Sequence, residues 1–135
     1  MDESERIDRF LRSSRVAVVG ASTSRAKFGN KVFRAYLRHG IDAVPIHPRE
    51  PTIEGHVAYP DLASVPGRIE AVSLITPPRI TEQVVEQALA RGMTHLWMQP
   101  GAESPRAVDI AQRAGANVIF GGACVLVELP RRVGP

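Results

Sequence analysis

Val16-Ala17-Val18-Val19-Gly20-Ala21-Ser22 is an apolar run that stops at a glycine, and Arg25, Lys27, Gly29 and a helix-like run from Asn30 to His39 follow it. A short run without polar alternation reads as a strand buried on both faces, which is the signature of a parallel sheet. The glycine predicts a tight turn at the end of that strand. A turn of this kind brings backbone N–H groups and the next helix's N-terminus to a ligand phosphate. The stretch therefore predicts a phosphate-bearing nucleotide as ligand.

Outward from this stretch, strand-like and helix-like segments alternate. An amphipathic segment of about residues 4–12 puts Ile7, Phe10 and Leu11 on one face, ahead of the first strand, Val16 to Val19. The helix after it carries Val32, Phe33, Tyr36 and Leu37 and stops at Gly40. Ala43-Val44-Pro45-Ile46 reads as a second strand, its proline suited to a position where one N–H is not needed. Asp61 to Val65 has room for one helical turn, and Ala71 to Ile75 is a third strand. A helix over about Arg79 to Arg91, a fourth strand His95 to Met98, a helix opened by Ser104-Pro105 and a fifth strand Val118 to Phe120 complete the pattern. Strands separated by helices predict a single α/β domain over residues 1–135, a Rossmann-like doubly wound parallel sheet of about five strands.

Composition narrows the function classes. Of 135 residues, 44% are hydrophobic and 23% charged, as in an ordinary globular domain. No apolar run approaches the ~18 residues of a membrane span, and the charged, acidic start is unlike a secretory signal. The single cysteine, Cys124, allows no internal disulfide. Together these predict a cytoplasmic protein that does not act at a membrane. A net charge of +3 without a basic block interleaved with aromatics argues against nucleic acid as a partner.

Doubly wound sheets bind ligands beyond the C-terminal ends of their strands. Those ends carry Gly20-Ala21-Ser22 with Arg25 and Lys27, then His47-Pro48-Arg49, Thr76-Pro77-Pro78, Gln99-Pro100-Gly101-Ala102-Glu103 and Gly121-Gly122-Ala123-Cys124. The three-glycine dinucleotide fingerprint is incomplete, since alanine and serine follow Gly20. The second strand ends in His47, Pro48 and Arg49, where an NAD enzyme places an acid for the ribose. A basic end suits a phosphorylated ribose. Two ligands remain, the 2′-phosphate of NADP and the 3′-phosphate of coenzyme A.

Each residue has a plainer reading beside the functional one. Arg25, Lys27 and Arg49 are phosphate contacts or solvated charges, and His47 is a titrating group or a hydrogen-bonded structural one. Trp97 and Met98 read as core, and Glu103 as support for the following helix start. Cys124 is either a packed thiol or, at the ligand rim behind two glycines, a thiol able to exchange with that of CoA. The four histidines are scattered, with no metal-ligand spacing and no nucleophile–base set.

The order Val18-Val19-Gly20-Ala21-Ser22, Pro45-Ile46-His47-Pro48-Arg49, Ile75-Thr76-Pro77-Pro78, Leu96-Trp97-Met98-Gln99-Pro100-Gly101, then a last strand leading to a cysteine, resembles the small stand-alone CoA-binding proteins. Their domain is similar to the nucleotide-binding domain of the succinyl-CoA synthetase α subunit. The resemblance runs from about Arg15 to Arg131. It implies CoA or an acyl-CoA lying across the strand ends, with Gly20, Ala21, Ser22, Arg25 and Lys27 at the phosphates. Pro48 and Arg49 would lie near the nucleotide, with Thr76, Pro77 and Gly101 along the rest of the groove. Family members often have asparagine or serine where His47 stands. The synthetase's phosphohistidine lies in a second domain without a counterpart here, so the resemblance implies binding without catalysis. An NADP-binding oxidoreductase or redox sensor, and a ligand-switched regulatory or scaffold domain with a protein partner, are the alternatives.

Overall fold

Four strands of four residues, buried along their whole length except at the half-buried His95, and a fifth of three set the architecture. In the computed structural model, which describes residues 1–133, these are β1 (Val16–Val19), β2 (Ala43–Ile46), β5 (Ala71–Leu74), β6 (His95–Met98) and β7 (Asn117–Ile119). They form one parallel sheet in the order β2-β1-β5-β6-β7. The chain steps from β1 outward to β2, then crosses back to β5 on the other side of β1. The strand order therefore reverses between β1 and β5, and open α/β sheets form their ligand crevice at such a point.

Period-two alternation divides the core between the two faces of the sheet. Val16 and Val18 point to one face, where Ile7 and Phe10 of α1 (Glu3–Leu11), Val32, Phe33 and Tyr36 of α2 (Phe28–Arg38) and Val125 and Leu129 of α5 (Val125–Val133) pack. Ala17 and Val19 point to the other, against Val84, Val85 and Ala88 of α3 (Pro78–Ala90) and Ala107 and Ala111 of α4 (Pro105–Arg113). Trp97 lies on the first face, fully buried, with the Phe10 ring edge-on at 5.3 Å. None of the described helices is long and apolar enough to cross a membrane.

Local signals hold where they were strongest. Ser104 caps α4 by accepting from the Ala107 N–H at 3.0 Å, with Pro105 in the first turn. Pro45 lies on an edge strand of the sheet, and its carbonyl accepts from the Tyr59 N–H at 3.1 Å. The residues Asp61 to Val65 contain a 3-10 turn, Leu62–Ser64.

Two elements go beyond the expected pattern. A hairpin of β3 (Thr52–Ile53) and β4 (His56–Val57) turns through Glu54 and Gly55, both left-handed at φ 50° and 79°. Its strands are too short to show a period. The second is α5, whose Pro130 lies inside the helix. A proline in a helix interior costs ~3 kcal/mol. Complete burial of Val125 and Leu129 and a side-chain acceptor for the Val125 N–H offset that cost.

Candidate ligand-binding site

Because the five strands are parallel, the turns singled out in the sequence share one rim. Its centre is the turn after β1. Gly20 has φ +96°, and a Cβ there would lie 2.0 Å from the Ile75 carbonyl oxygen at the end of β5. Gly29, in the first turn of α2, meets the Gly20 carbonyl in the same way, with a Cβ placed 2.0 Å from its oxygen. Two glycines therefore let the turn, the neighbouring strand end and the helix start close on one another without side chains between them. The helix brought in this way has Lys27 as its N-cap, with no side-chain hydrogen bond to the first turn. Its leading N–H groups thus stand at the rim without a side-chain acceptor.

A cavity of about 320 Å³ opens beside the turn. Gly20, Pro48 and Thr76 line it together, so three of the residues expected at a ligand meet at one recess. Val19, Ile46, Leu62 and Ile80 give it apolar walls, and Pro60 and Asp61 close one side. The Thr76 hydroxyl is engaged with that of the buried Thr81 at 2.6 Å, and Pro77 is the N-cap of α3. Ala21 is buried beneath the loop and Ser22 accepts from the Ser24 N–H through its hydroxyl, which braces the turn internally.

The charges separate into free and engaged. Arg25 donates to both carboxylate oxygens of Glu54, at 2.7 and 3.2 Å. The Asn30 amide donates to Glu54 at 3.0 Å and to the Ser22 carbonyl at 2.8 Å, while its oxygen accepts from Arg34. The β3–β4 turn is thereby tied to the loop after β1. Hydrogen bonds from Arg25 and then Asn30 hold the Glu54 carboxyl down at about 2, and the same pairing raises Arg25 further above its ordinary range. Lys27 and Arg49 are exposed and make no ion pair among the described residues.

Gly101 and Cys124 stand apart from the recess, at the ends of β6 and β7. Gly101, at φ +93°, donates its N–H to Glu103 at 3.1 Å, so Glu103 braces this turn rather than the first turn of α4. Cys124 is partly buried. The chain is pinned on either side of it: the Trp97 indole donates to the Ala123 carbonyl at 3.0 Å, and the Gln99 side-chain amide oxygen accepts from the Val125 N–H at 2.9 Å. The Cys124 carbonyl in turn accepts from the Val127 and Glu128 N–H groups, which makes it the start of α5. The buried Tyr36 hydroxyl lies toward Ser73 without a hydrogen bond of normal geometry, and burial raises it above its ordinary range. Among the described residues no group of three or more His, Cys, Asp or Glu side chains could hold a metal ion.

Asn30, Glu54 and Gln99 hold this rim and were not expected to. A polar residue on a buried helix face was the available signal for Asn30, which has no exposed surface. Gln99 gave a similar one, at the end of a buried strand.

The chain has relatives in archaea. It is 27% identical over 130 residues to the alpha subunit of ADP-forming acetate–CoA ligase II of Pyrococcus furiosus, a match that covers 88% of this chain but only 28% of that subunit. A conserved hypothetical protein from the same organism has a solved structure 34% identical to this chain, with a TM-score of 0.79 over 84% of this chain and 97% of that one. A hypothetical protein from Pyrococcus horikoshii OT3 superposes with a TM-score of 0.91 at 29% identity, over 99% of this chain and 94% of the other. A family described as a CoA binding domain matches residues 14–130, nearly the whole length, and the chain belongs to that family.

Proposed function

We propose that this protein binds CoA or an acyl-CoA across the C-terminal ends of its parallel strands and carries out no reaction on it alone. The observation that carries the reading is the recess lined by Gly20, Pro48 and Thr76, which opens beside an α2 N-terminus that has no side-chain cap. An apolar cavity between strand ends suits a flat, weakly polar adenine. The adjoining helix start and the Gly20–Ser22 turn suit the pyrophosphate, because N–H groups and the helix dipole both favour an anion. Arg49 and Lys27 are the exposed cations for the remaining phosphate charge, while Arg25 reaches a ligand only by leaving Glu54 or sharing it.

The pantetheine arm would then run past Pro77 and Gly101 toward Cys124. From β1 to β7 are three inter-strand steps of ~4.8 Å, about 14 Å in all, which an extended arm spans. The thiol of CoA would end at the rim near Cys124.

Calorimetric titration with CoA, dephospho-CoA and NADP tests the reading. CoA is expected to bind most tightly, and loss of the 3′-phosphate should weaken it by about tenfold, the worth of one charge-assisted hydrogen bond. Equal or tighter binding of NADP would replace CoA with a nicotinamide cofactor as the ligand.

A further inference from the structure

The turn after β2 is held by a side chain. His47 Nδ1 accepts from the backbone N–H of Arg49 and from that of Glu50, each at 3.0 Å. The imidazole nitrogen thereby does what an aspartate or asparagine oxygen does when it closes a turn on its own following amides. The His47 N–H donates to the Tyr59 carbonyl at 2.9 Å, so the base of the turn is fixed to the segment that covers the edge of β2. Between these anchors lies Pro48, a wall of the recess, and next to it the exposed Arg49.

A ring nitrogen that accepts two N–H groups has no room for a proton of its own. Protonated at Nδ1, the ring becomes a donor facing two donors, and both bonds are lost. We propose that His47 is the positioning residue of the nucleotide recess, setting Pro48 and Arg49 through the two amides it accepts, and that its protonation releases the turn and weakens CoA binding in acid. The inference rests on the CoA reading.

Other ionisable groups lie on the turn itself and on the elements packed against β2. Arg49 and Glu50 belong to it, Tyr59 and Asp61 to the segment paired with β2, and His56 to β4. From α2, which packs on β2, come Lys31, Arg34 and Arg38. None of these side chains makes a hydrogen bond or ion pair with the His47 ring. Imidazole is the side chain whose charge ordinarily changes between pH 5 and 8. His56 is thus the neighbour able to confuse the readout, together with the ligand's own phosphate.

The experiment compares wild type, His47→Asn and His47→Ala by CoA affinity at pH 8 and pH 5.5. Asparagine keeps an acceptor for the two amides and does not titrate, and it leaves His56 and the ligand unchanged. Losing two hydrogen bonds should weaken wild-type binding about tenfold more than His47→Asn binding on going to pH 5.5. His47→Ala should be weakened already at pH 8, with asparagine restoring most of the loss. In the ligand-free protein, the Arg49 and Glu50 amide resonances should move with the His47 ring titration. An equal pH response in wild type and His47→Asn, or amides that do not follow the ring, would overturn the proposal. Absence of CoA binding by wild type at both pH values, with the amides still following His47, would instead overturn the CoA reading and the ligand role together while leaving the turn as described.

Discussion

At the ends of β1, β2 and β5 the chain leaves a recess, whereas at the ends of β6 and β7 buried side chains reach out of the sheet and hold the chain down. The first region is built from absences of side chain: Gly20 and Gly29 let backbone meet backbone, and α2 begins without a side-chain cap. The second is built from large side chains, with Trp97 and Gln99 of and beside β6 anchoring Ala123 and Val125. Backbone donors left open suit a ligand, and donors paired by a buried amide suit a fixed helix. The C-terminal rim of the sheet therefore has two kinds of turn, and the first opens into a recess.

The strongest way to break the first region is Gly20→Ala. Its Cβ would meet the Ile75 carbonyl at 2.0 Å with φ at +96°, so clash and strain act together. A loss of about 3 kcal/mol or more is expected, read by thermal unfolding, with CoA binding lost as well. A variant as stable as wild type would show that the turn has room the geometry denies it.

Gln99→Leu breaks the second region. It keeps approximate volume but strips the Val125 N–H of its acceptor and the Ser73 hydroxyl of its partner, at a cost of roughly 1–3 kcal/mol. Amide exchange should speed up in α5 before anywhere else, while the recess keeps its CoA affinity. Uniform loosening across the sheet would erase the distinction between the two regions.

Glu54→Gln probes the tie between the hairpin and the loop after β1. In the folded protein the Glu54 carboxyl titrates at about 2, below its ordinary value of 4.5. A lowered value means that its stabilisation is complete above the ordinary range and disappears as pH falls toward 2. Unfolding temperatures of wild type should accordingly converge on those of Glu54→Gln between pH 5 and pH 2. Parallel curves over that interval would mean the pairing contributes nothing.

The smallest change in affinity is expected from Cys124→Ser, because the phosphates and adenine hold the ligand elsewhere. Reversible CoA binding should stay within roughly twofold. CoA disulfide separates the two proteins more sharply: the wild-type thiolate attacks one sulfur, forms a Cys124–CoA disulfide and releases one CoA thiolate. Intact mass should show this adduct in wild type, its loss on reduction, and none in the serine variant. Wild-type protein that binds CoA yet stays unmodified would assign Cys124 to packing alone.

Legibility followed the same division. Val16–Val19, Ala43–Ile46 and His95–Met98 were readable to the residue; the first two are apolar and buried on both faces, with no polar position to blur their ends. The hairpin at Thr52–Val57 was not, with two residues per strand, nor was α5, whose Pro130 argues locally against a helix. Among the site residues, Gly20, Pro48 and Thr76 converge because parallel strands must end on one side. Arg25 carries the same charge in sequence as Arg49, yet it meets Glu54, 29 residues away.

Sequence by itself thus determined the parallel sheet, the rim on which its turns gather and the glycine that turns the chain after β1. Periodicity, burial on two faces and the need for positive φ are properties of a residue and its near neighbours. Tertiary structure alone decided which cation is free and how Cys124 is held. Each of those depends on a partner brought in by the return of the chain, and pairing at a distance leaves no period to read.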